Sequence, residues 1–402
     1  MDSPDSDLSS NFLRHLCQTS TSPLGIVVAR AAGSKIWDVD GREYLDLLAG
    51  LGVCNIGHTH PAVVQAVQGQ IRDYLHVFVY GEMVERPQVE LARRLAELAP
   101  GDLSVVYFTN SGTEAVEGAL KTARKFTRRS RLVGFEGSFH GDTFGSLSVG
   151  GNPNYRTPFE PLLPGVEILP FNDEAALAHI DTGVAAVIVE PVQGEGGVRI
   201  PSATFVPALR RRCSEVGALL IADEVITGFG RTGKLFACEH WQVTPDILVL
   251  AKALGGGMPL GAFIGTPQVM STLSHDPPLA HVTTFGGHPA SCAAGLAALD
   301  VLLGDQLVEG AARLGSEWLA DLAELCGAVV REVRGLGLLM AIEFHDAGAT
   351  QRFVAGCLQR GVILNWTLHR DTVVRLAPPL VISAAERRHA LAVMRDVIND
   401  MG

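Results

Sequence analysis

No Cys-x-x-Cys occurs in this sequence, and no internal repeat or low-complexity tract. No apolar run approaches the ~20 residues of a membrane span. The seven cysteines (Cys17, Cys54, Cys213, Cys238, Cys292, Cys326, Cys357) are scattered and odd in number. Such a set gives neither a disulfide framework nor a zinc site, and it predicts a reducing compartment. Basic residues are scarce as well: 32 Lys and Arg against 43 Asp and Glu leave a net charge of −11. That balance argues against a nucleic-acid or membrane-surface partner, which needs clustered positive charge. The segment Met1 to Ser10 is acidic and polar and does not read as a secretory leader. A cytoplasmic protein without bound metal is expected.

What the chain does have is apolar mass. At 402 residues, 47% of them hydrophobic, it can bury the cores of two domains. Residues 1–25 read as a loose arm, followed by strands at Ile26–Ala29 and Ile36–Asp38 with a turn at Asp40-Gly41. Seven short apolar runs then alternate with helical stretches: Val105–Phe108, Leu132–Phe135, Val166–Leu169, Ala185–Glu190, Leu219–Ala222, Ile247–Leu250 and Gly261–Ile264. Runs that are apolar throughout suit strands covered on both faces, so a mainly parallel α/β sheet is expected. From about His288 the rhythm changes. An Ala-rich helix over Pro289–Leu303 and strands near Leu338–Phe344 and Val373–Leu376 predict a second, smaller α/β domain. The expected division is an arm with a small-domain segment over residues 1–50, a large domain over 51–290, and a C-terminal small domain over 291–402.

In parallel sheets chemistry collects at the carboxyl ends of the strands. Three such ends stand out. Thr109-Asn110-Ser111-Gly112-Thr113-Glu114 opens a helix and offers backbone N–H groups and hydroxyls to a phosphate, or is a plain helix cap. Asp223 closes a run too apolar to tolerate an unpaired acid, so it needs a cationic or hydrogen-bonding partner. Lys252 sits between an apolar strand and Gly255-Gly256-Gly257, where burial would favour the neutral, nucleophilic amine; the alternative is a lysine that reaches solvent. Together, a lysine, an acid and an anion cradle suit a cofactor with an aldehyde, an aromatic nitrogen and a phosphate.

The sequence resembles the class III aminotransferases, which act on ornithine, acetylornithine, 4-aminobutyrate and other ω-amines. The likeness runs from about Gly25 to the C-terminus. It is carried by NSGTEAVE (110–117), FEGSFHGDT (135–143), EPVQGEGG (190–197), DEVITGFGRTG (223–233), AKALGGGMP (251–259), TTFGGHP (283–289) and RLAPPL (375–380). The resemblance implies the pyridoxal-phosphate-dependent transferase fold (fold type I), with a mostly parallel seven-stranded sheet in the large domain. It also implies pyridoxal phosphate as cofactor, an amino donor and a keto-acid acceptor as substrates, and a homodimer with shared active sites. By the same resemblance Lys252 forms the Schiff base and shuttles the proton. Asp223 pairs with the ring nitrogen, Ser111, Gly112 and Thr113 hold the phosphate, and Phe139 and Val225 flank the ring. Ile226 stands where several relatives carry Gln beside the phenolic oxygen. Thr284 matches a phosphate ligand donated by the neighbouring subunit, with Thr283 next to it on the substrate side. Arg375 matches the receptor for a substrate carboxylate, and Glu195 the acid that masks it.

Two departures bear on the substrate. Asp142 stands where the ornithine and acetylornithine enzymes commonly carry an arginine for the amino-acid carboxylate. It would repel a carboxylate and attract an amine, unless it faces away and caps a turn. Leu51 replaces an aromatic substrate contact. Three rival readings remain. Gly228 to Lys234 has the spacing of a nucleotide phosphate loop, although Leu235 supplies no hydroxyl for Mg²⁺. Racemisation, decarboxylation or amino-group migration would use the same cofactor, and a non-catalytic binding protein would keep only the fold.

Overall fold

A computed structural model describes residues 4–79 and 81–401. Near the N-terminus it has a helix, Pro4–His15, where a loose arm was expected; Met1 to Ser3 of that arm lie outside the described residues. Leu8 and Phe12 fall one turn apart on that helix, and Arg14 and His15 complement the dipole of its last turn. Three short strands follow: β1 (Val28–Ala32), β2 (Lys35–Asp38) and β3 (Glu43–Asp46). A strand from much later in the chain, Val362–Ile363, pairs parallel with β3 and completes this four-stranded sheet.

The seven apolar runs form one sheet: β4 (Val105–Thr109), β5 (Arg131–Phe135), β6 (Val166–Leu169), β7 (Val184–Val189), β8 (Leu219–Asp223), β9 (Ile247–Leu250) and β10 (Gly261–Gly265). Their spatial order is β4-β10-β9-β8-β7-β5-β6. Every residue of β7, β8, β9 and β10 is buried, as strands covered on both faces must be. Only β10 runs against its neighbours, antiparallel to both β4 and β9. The carboxyl ends of β4, β7, β8 and β9 therefore share one edge with the start of β10. Gly261 makes that start possible, because a Cβ there would lie 2.3 Å from the Ser111 carbonyl oxygen.

The C-terminal region builds a third sheet in the order β11 (Val330–Leu336), β12 (Leu339–Phe344), β15 (Arg370–Leu376), β14 (Asn365–Thr367), with β13 being Val362–Ile363. This sheet places Arg375 in register with Ala341 and Asn365. Between the second and third sheets in chain order comes the helix Pro289–Gly304, which packs against Pro61–Asp73 and Arg86–Leu98. It is apolar on all sides, as a helix enclosed by neighbours can be. The expected boundary at 290/291 cuts through its first turn. No single helix among the described residues is long and apolar enough to cross a membrane.

Candidate active site

At the shared edge the strand ends enclose a cavity of 760 Å³. On the β4 side Ser111 takes an extended backbone and caps the helix Gly112–Thr127, its hydroxyl accepting the Glu114 N–H at 3.3 Å. Glu114 in turn accepts from the Asn110 backbone and side chain at 2.8 and 2.9 Å, which fixes the turn. Among the described residues the N–H groups of Gly112 and Thr113 have no protein acceptor, as expected in a first helical turn. The Thr113 hydroxyl is held by Thr143 at 2.8 Å and Ser146 at 2.7 Å. A Cβ on Gly112 would lie 3.0 Å from Val225, so glycine is what lets helix and β8 loop close together.

Asp223 ends β8 and is 3% exposed. Its Oδ2 meets His140 Nδ1 at 2.7 Å, and its Oδ1 accepts the Val225 N–H at 3.0 Å. Lys252 follows β9 with φ +49°, left-handed backbone that costs a non-glycine residue about 1 kcal/mol. Burial, and then the charge of Arg375, holds its amine below the usual lysine range. Phe139 and Val225 line the same space, with Ile226 buried beneath.

Glu190, at the end of β7, is 4% exposed and binds two walls at once. One oxygen accepts the Phe139 N–H and the other the Gly194 N–H, both at 2.9 Å. Burial raises its carboxyl to about 7. Beyond Gly194, Glu195 forms an ion pair with Arg375 and accepts the Leu368 N–H at 2.8 Å. Burial pushes the Glu195 carboxyl up, but the charge and hydrogen bond of Arg375 outweigh it and hold it low. Asp142 lies exposed at the lip of the cavity and has no ion-pair partner among the described residues.

Four expected residues do not line this cavity: Arg375, buried behind Glu195, and Leu51, Thr283 and Thr284, the last of which was expected to serve a neighbouring subunit. Leu51 is turned away: Ala49, Gly50, Leu51 and Gly52 all have positive φ, and this left-handed turn presents Val53 to the site instead. Leu51, 50% exposed, lines a second, apolar cavity of 820 Å³ with Phe12 and Leu24. The Thr283 hydroxyl is taken up by Asn110 Nδ2 at 3.1 Å and the Gly286 N–H at 3.2 Å, so it braces a turn. Thr284 is exposed outside the cavity of its own chain. Conversely, no role was foreseen for His140 and Glu190, although both lie inside quoted motifs. For Glu190 the signal is a polar residue closing an apolar run; His140, between Phe139 and Gly141, carries no such signal. The nucleotide-loop reading fails on geometry: Arg231 is fully buried, donating to Leu338 O at 3.1 Å and Asn55 Oδ1 at 2.6 Å. A Cβ on Gly233 would lie 2.8 Å from Ala312, so that loop faces packed protein.

Residues 17–398 match the aminotransferase class-III family. The chain belongs to the class III aminotransferases. It is 47% identical over 391 residues to the acetylornithine aminotransferase of Methanopyrus kandleri, covering 96% of this chain and 97% of that one. To the putrescine aminotransferase of Pectobacterium atrosepticum it is 44% identical over 399 residues, covering 95% and 84%. The ornithine aminotransferase of Toxoplasma gondii, solved with pyridoxal phosphate at partial occupancy, superimposes with a TM-score of 0.91 at 33% identity, covering 98% and 94%.

The donors of this aminotransferase fit the cofactor of its family, pyridoxal phosphate. Two unbonded N–H groups at a helix start suit a phosphate. A braced carboxylate at Asp223 suits a protonated ring nitrogen, and a half-buried amine at Lys252 suits an aldehyde. Gly112 lets the helix start lie against Val225, where a Cβ would crowd the cavity wall.

Proposed function

We propose that this aminotransferase takes the amino group from the terminal amine of a diamine or of an ω-amino acid and delivers it to 2-oxoglutarate. The observation that carries the reading is the Glu195–Arg375 ion pair, with Arg375 only 2% exposed behind the acid. With the pair closed, the ionisable lining is mostly acidic: Asp142, Glu190, Glu195 and Asp223 against Lys252 and His140. Such a wall favours a cationic donor. With the pair open, Arg375 offers a bidentate fork to a carboxylate of the acceptor. One cavity thus serves two alternating substrates.

Bound pyridoxal phosphate supplies an aldehyde that keeps the amino group between half-reactions and a ring that draws electrons from the bond being broken. The Gly112 and Thr113 N–H groups would hold its phosphate, and Asp223 its ring nitrogen. Lys252 Nζ, kept low in pKa by burial and Arg375, takes the proton from the carbon bearing the amine and returns it on the other side of the exchange.

Two copies are proposed to share their sites. Thr284 would serve the neighbour's phosphate, a reading supported by its exposure beside Val282 and Phe285, which are 50% and 53% exposed. Val84, 93% exposed, adds apolar surface of the kind a partner covers. Sedimentation velocity would then give twice the 42.7 kDa chain mass. Seven unpaired cysteines favour a reducing, cytoplasmic setting. The deciding experiment follows glutamate formation from 2-oxoglutarate with putrescine, ornithine, acetylornithine, lysine, 4-aminobutyrate, β-alanine and amino sugars as donors. Diamines should lead. Turnover of one substrate with no keto acid present would refute transamination, and a strong preference for the carboxylate-bearing donors 4-aminobutyrate and β-alanine over putrescine would refute the acidic-wall argument.

A further inference from the structure

One hairpin grips Glu195 at two separate points. Its strands are β14 and β15, whose register pairs Thr367 with Arg370 and leaves Leu368 and His369 as a two-residue tip. Arg375, on β15, holds Glu195 Oε1 through Nη1 alone, and its buried Nε has no partner among the described residues. A one-point pair leaves the second carboxylate oxygen to other donors. The tip takes it: the Leu368 N–H donates to Glu195 Oε2 at 2.8 Å, and the His369 N–H donates to the Glu195 carbonyl at 3.1 Å.

The tip is itself fastened to the segment that carries Phe139. Tyr155 donates its hydroxyl proton to the Leu368 carbonyl at 2.9 Å. His369 Nδ1 meets the Gly137 carbonyl at 3.2 Å, and since a carbonyl only accepts, that nitrogen carries the proton. The imidazole stands edge-on to Phe139, with centroids 5.8 Å apart, and leans on Tyr155 at 5.2 Å. Burial outweighs the Gly137 bond and the pull of Glu195 and Asp142, and holds His369 below the ordinary histidine range, so the ring is neutral at pH 7. It therefore steadies the tip without competing with Arg375 for the charge of the acid. Neither Tyr155 nor His369 lines the cavity.

We propose that the Leu368–His369 tip is the latch of the Glu195–Arg375 pair, with Tyr155 and His369 as positioning residues that set how readily the arginine is uncovered. The inference rests on the reading of that pair as a mask over a carboxylate receptor. Uncovering Arg375 breaks the ion pair and turns the carboxylate, which breaks the Leu368 bond as well. A hydrogen bond to a charged acceptor is among the stronger kinds, so the latch favours the closed pair. A loosened tip shifts the balance toward the open arginine: carboxylate ligands gain and cationic donors lose.

Glutarate, a dicarboxylate without a keto group, reads the uncovered arginine of the holoenzyme by titration calorimetry, without turnover. Tyr155→Phe keeps the ring against His369 and removes only the hydroxyl of a residue 38% exposed, so the fold is retained. It should tighten glutarate about three-fold and split the Michaelis constants, lowering the KM for 2-oxoglutarate and raising that for the amine donor. Glu195→Gln should tighten glutarate further, and Tyr155→Phe added to it should change nothing more, because the charged acceptor is gone. Unchanged or weaker glutarate binding in Tyr155→Phe, with Glu195→Gln tightening it, overturns the latch and leaves the mask standing. Glutarate binding unmoved by Glu195→Gln overturns the mask, and the latch with it. A purely structural Tyr155 would raise both Michaelis constants together, which also overturns the proposal.

Discussion

His140 and Asp223 are joined by a bond of 2.7 Å between Nδ1 and Oδ2, with the imidazole fully enclosed and the carboxylate 4% exposed. The second carboxylate oxygen is tied to the Val225 N–H. Both oxygens are therefore fixed in place before a ligand arrives, so the acid meets a ring cation without reorganising.

Removing the charge and removing its support should be separable. At contact distance and an effective dielectric near 20, an acid facing a ring cation contributes on the order of 5 kcal/mol. Asp223→Asn is therefore expected to lower kcat by about three orders of magnitude and to weaken cofactor retention. His140→Asn keeps the charge but loosens it, and a loss of about ten-fold is expected. Titration of each apoenzyme with pyridoxal phosphate, followed by tryptophan fluorescence, checks retention apart from turnover. An unchanged Asp223→Asn would remove the acid from the site.

Lys252→Ala should abolish glutamate formation and leave the apoenzyme at least as heat-stable as the unmutated one at pH 7. The folded amine has its pKa lowered, so protonation favours the unfolded chain at any pH below the ordinary lysine value. Deleting it removes that penalty, while alanine keeps the Cβ and so leaves the left-handed strain as it was. A lower apoenzyme melting temperature at pH 7 would contradict the burial argument, and residual turnover without added amine would contradict the role.

The seven strands were legible because most are short, largely apolar runs bounded by polar residues, proline or glycine, and Asp223 and Lys252 were legible because each follows such a run closely. The His140–Asp223 bond spans 83 residues, and no spacing rule reports such a contact. Strand β11 was missed because a register shift between Val330 and Glu332 breaks its alternation, and its Arg334 is drawn to Glu343 at 2.6 Å. Leu51 went astray because residue identity does not announce a run of four left-handed backbones. The helix Pro4–His15 was hidden by its polar composition.

Glu190 should leave a pH signature in stability. Its carboxyl is raised from 4.5 to about 7, so the folded state holds this proton more tightly than the unfolded chain does. The effect is absent below the unfolded value, and stability falls as pH rises through the folded one, by about 3 kcal/mol in total. Glu190→Gln loses an acceptor for one N–H, which shifts its stability by a constant. The difference between the two proteins, measured by denaturant unfolding of apoenzyme from pH 4.5 to 8, should therefore move in favour of the variant as pH rises. A flat difference would mean that the carboxyl ionises normally.

Glu195→Gln leaves Arg375 buried without its counter-charge, and a loss of about 3 kcal/mol in stability is expected. The same change unmasks the fork, so the KM for 2-oxoglutarate should fall and the KM for amine donors should rise. Parallel shifts of both constants would show that the pair is only structural.

Asp142→Arg tests the lip of the cavity, where an exposed carboxylate stands without an ion-pair partner among the described residues. A diamine bound through one terminus carries its second ammonium group outward, and an unpaired acid there lowers its KM by a modest, salt-screened amount. Reversing the charge should raise the KM for putrescine and lower that for ornithine and acetylornithine, whose carboxylates gain a partner. Because the group is exposed, each change should be about ten-fold or less and should shrink in high salt. The kcat with a neutral monoamine should stay the same. An identical donor profile in both proteins would place Asp142 out of the substrate's reach.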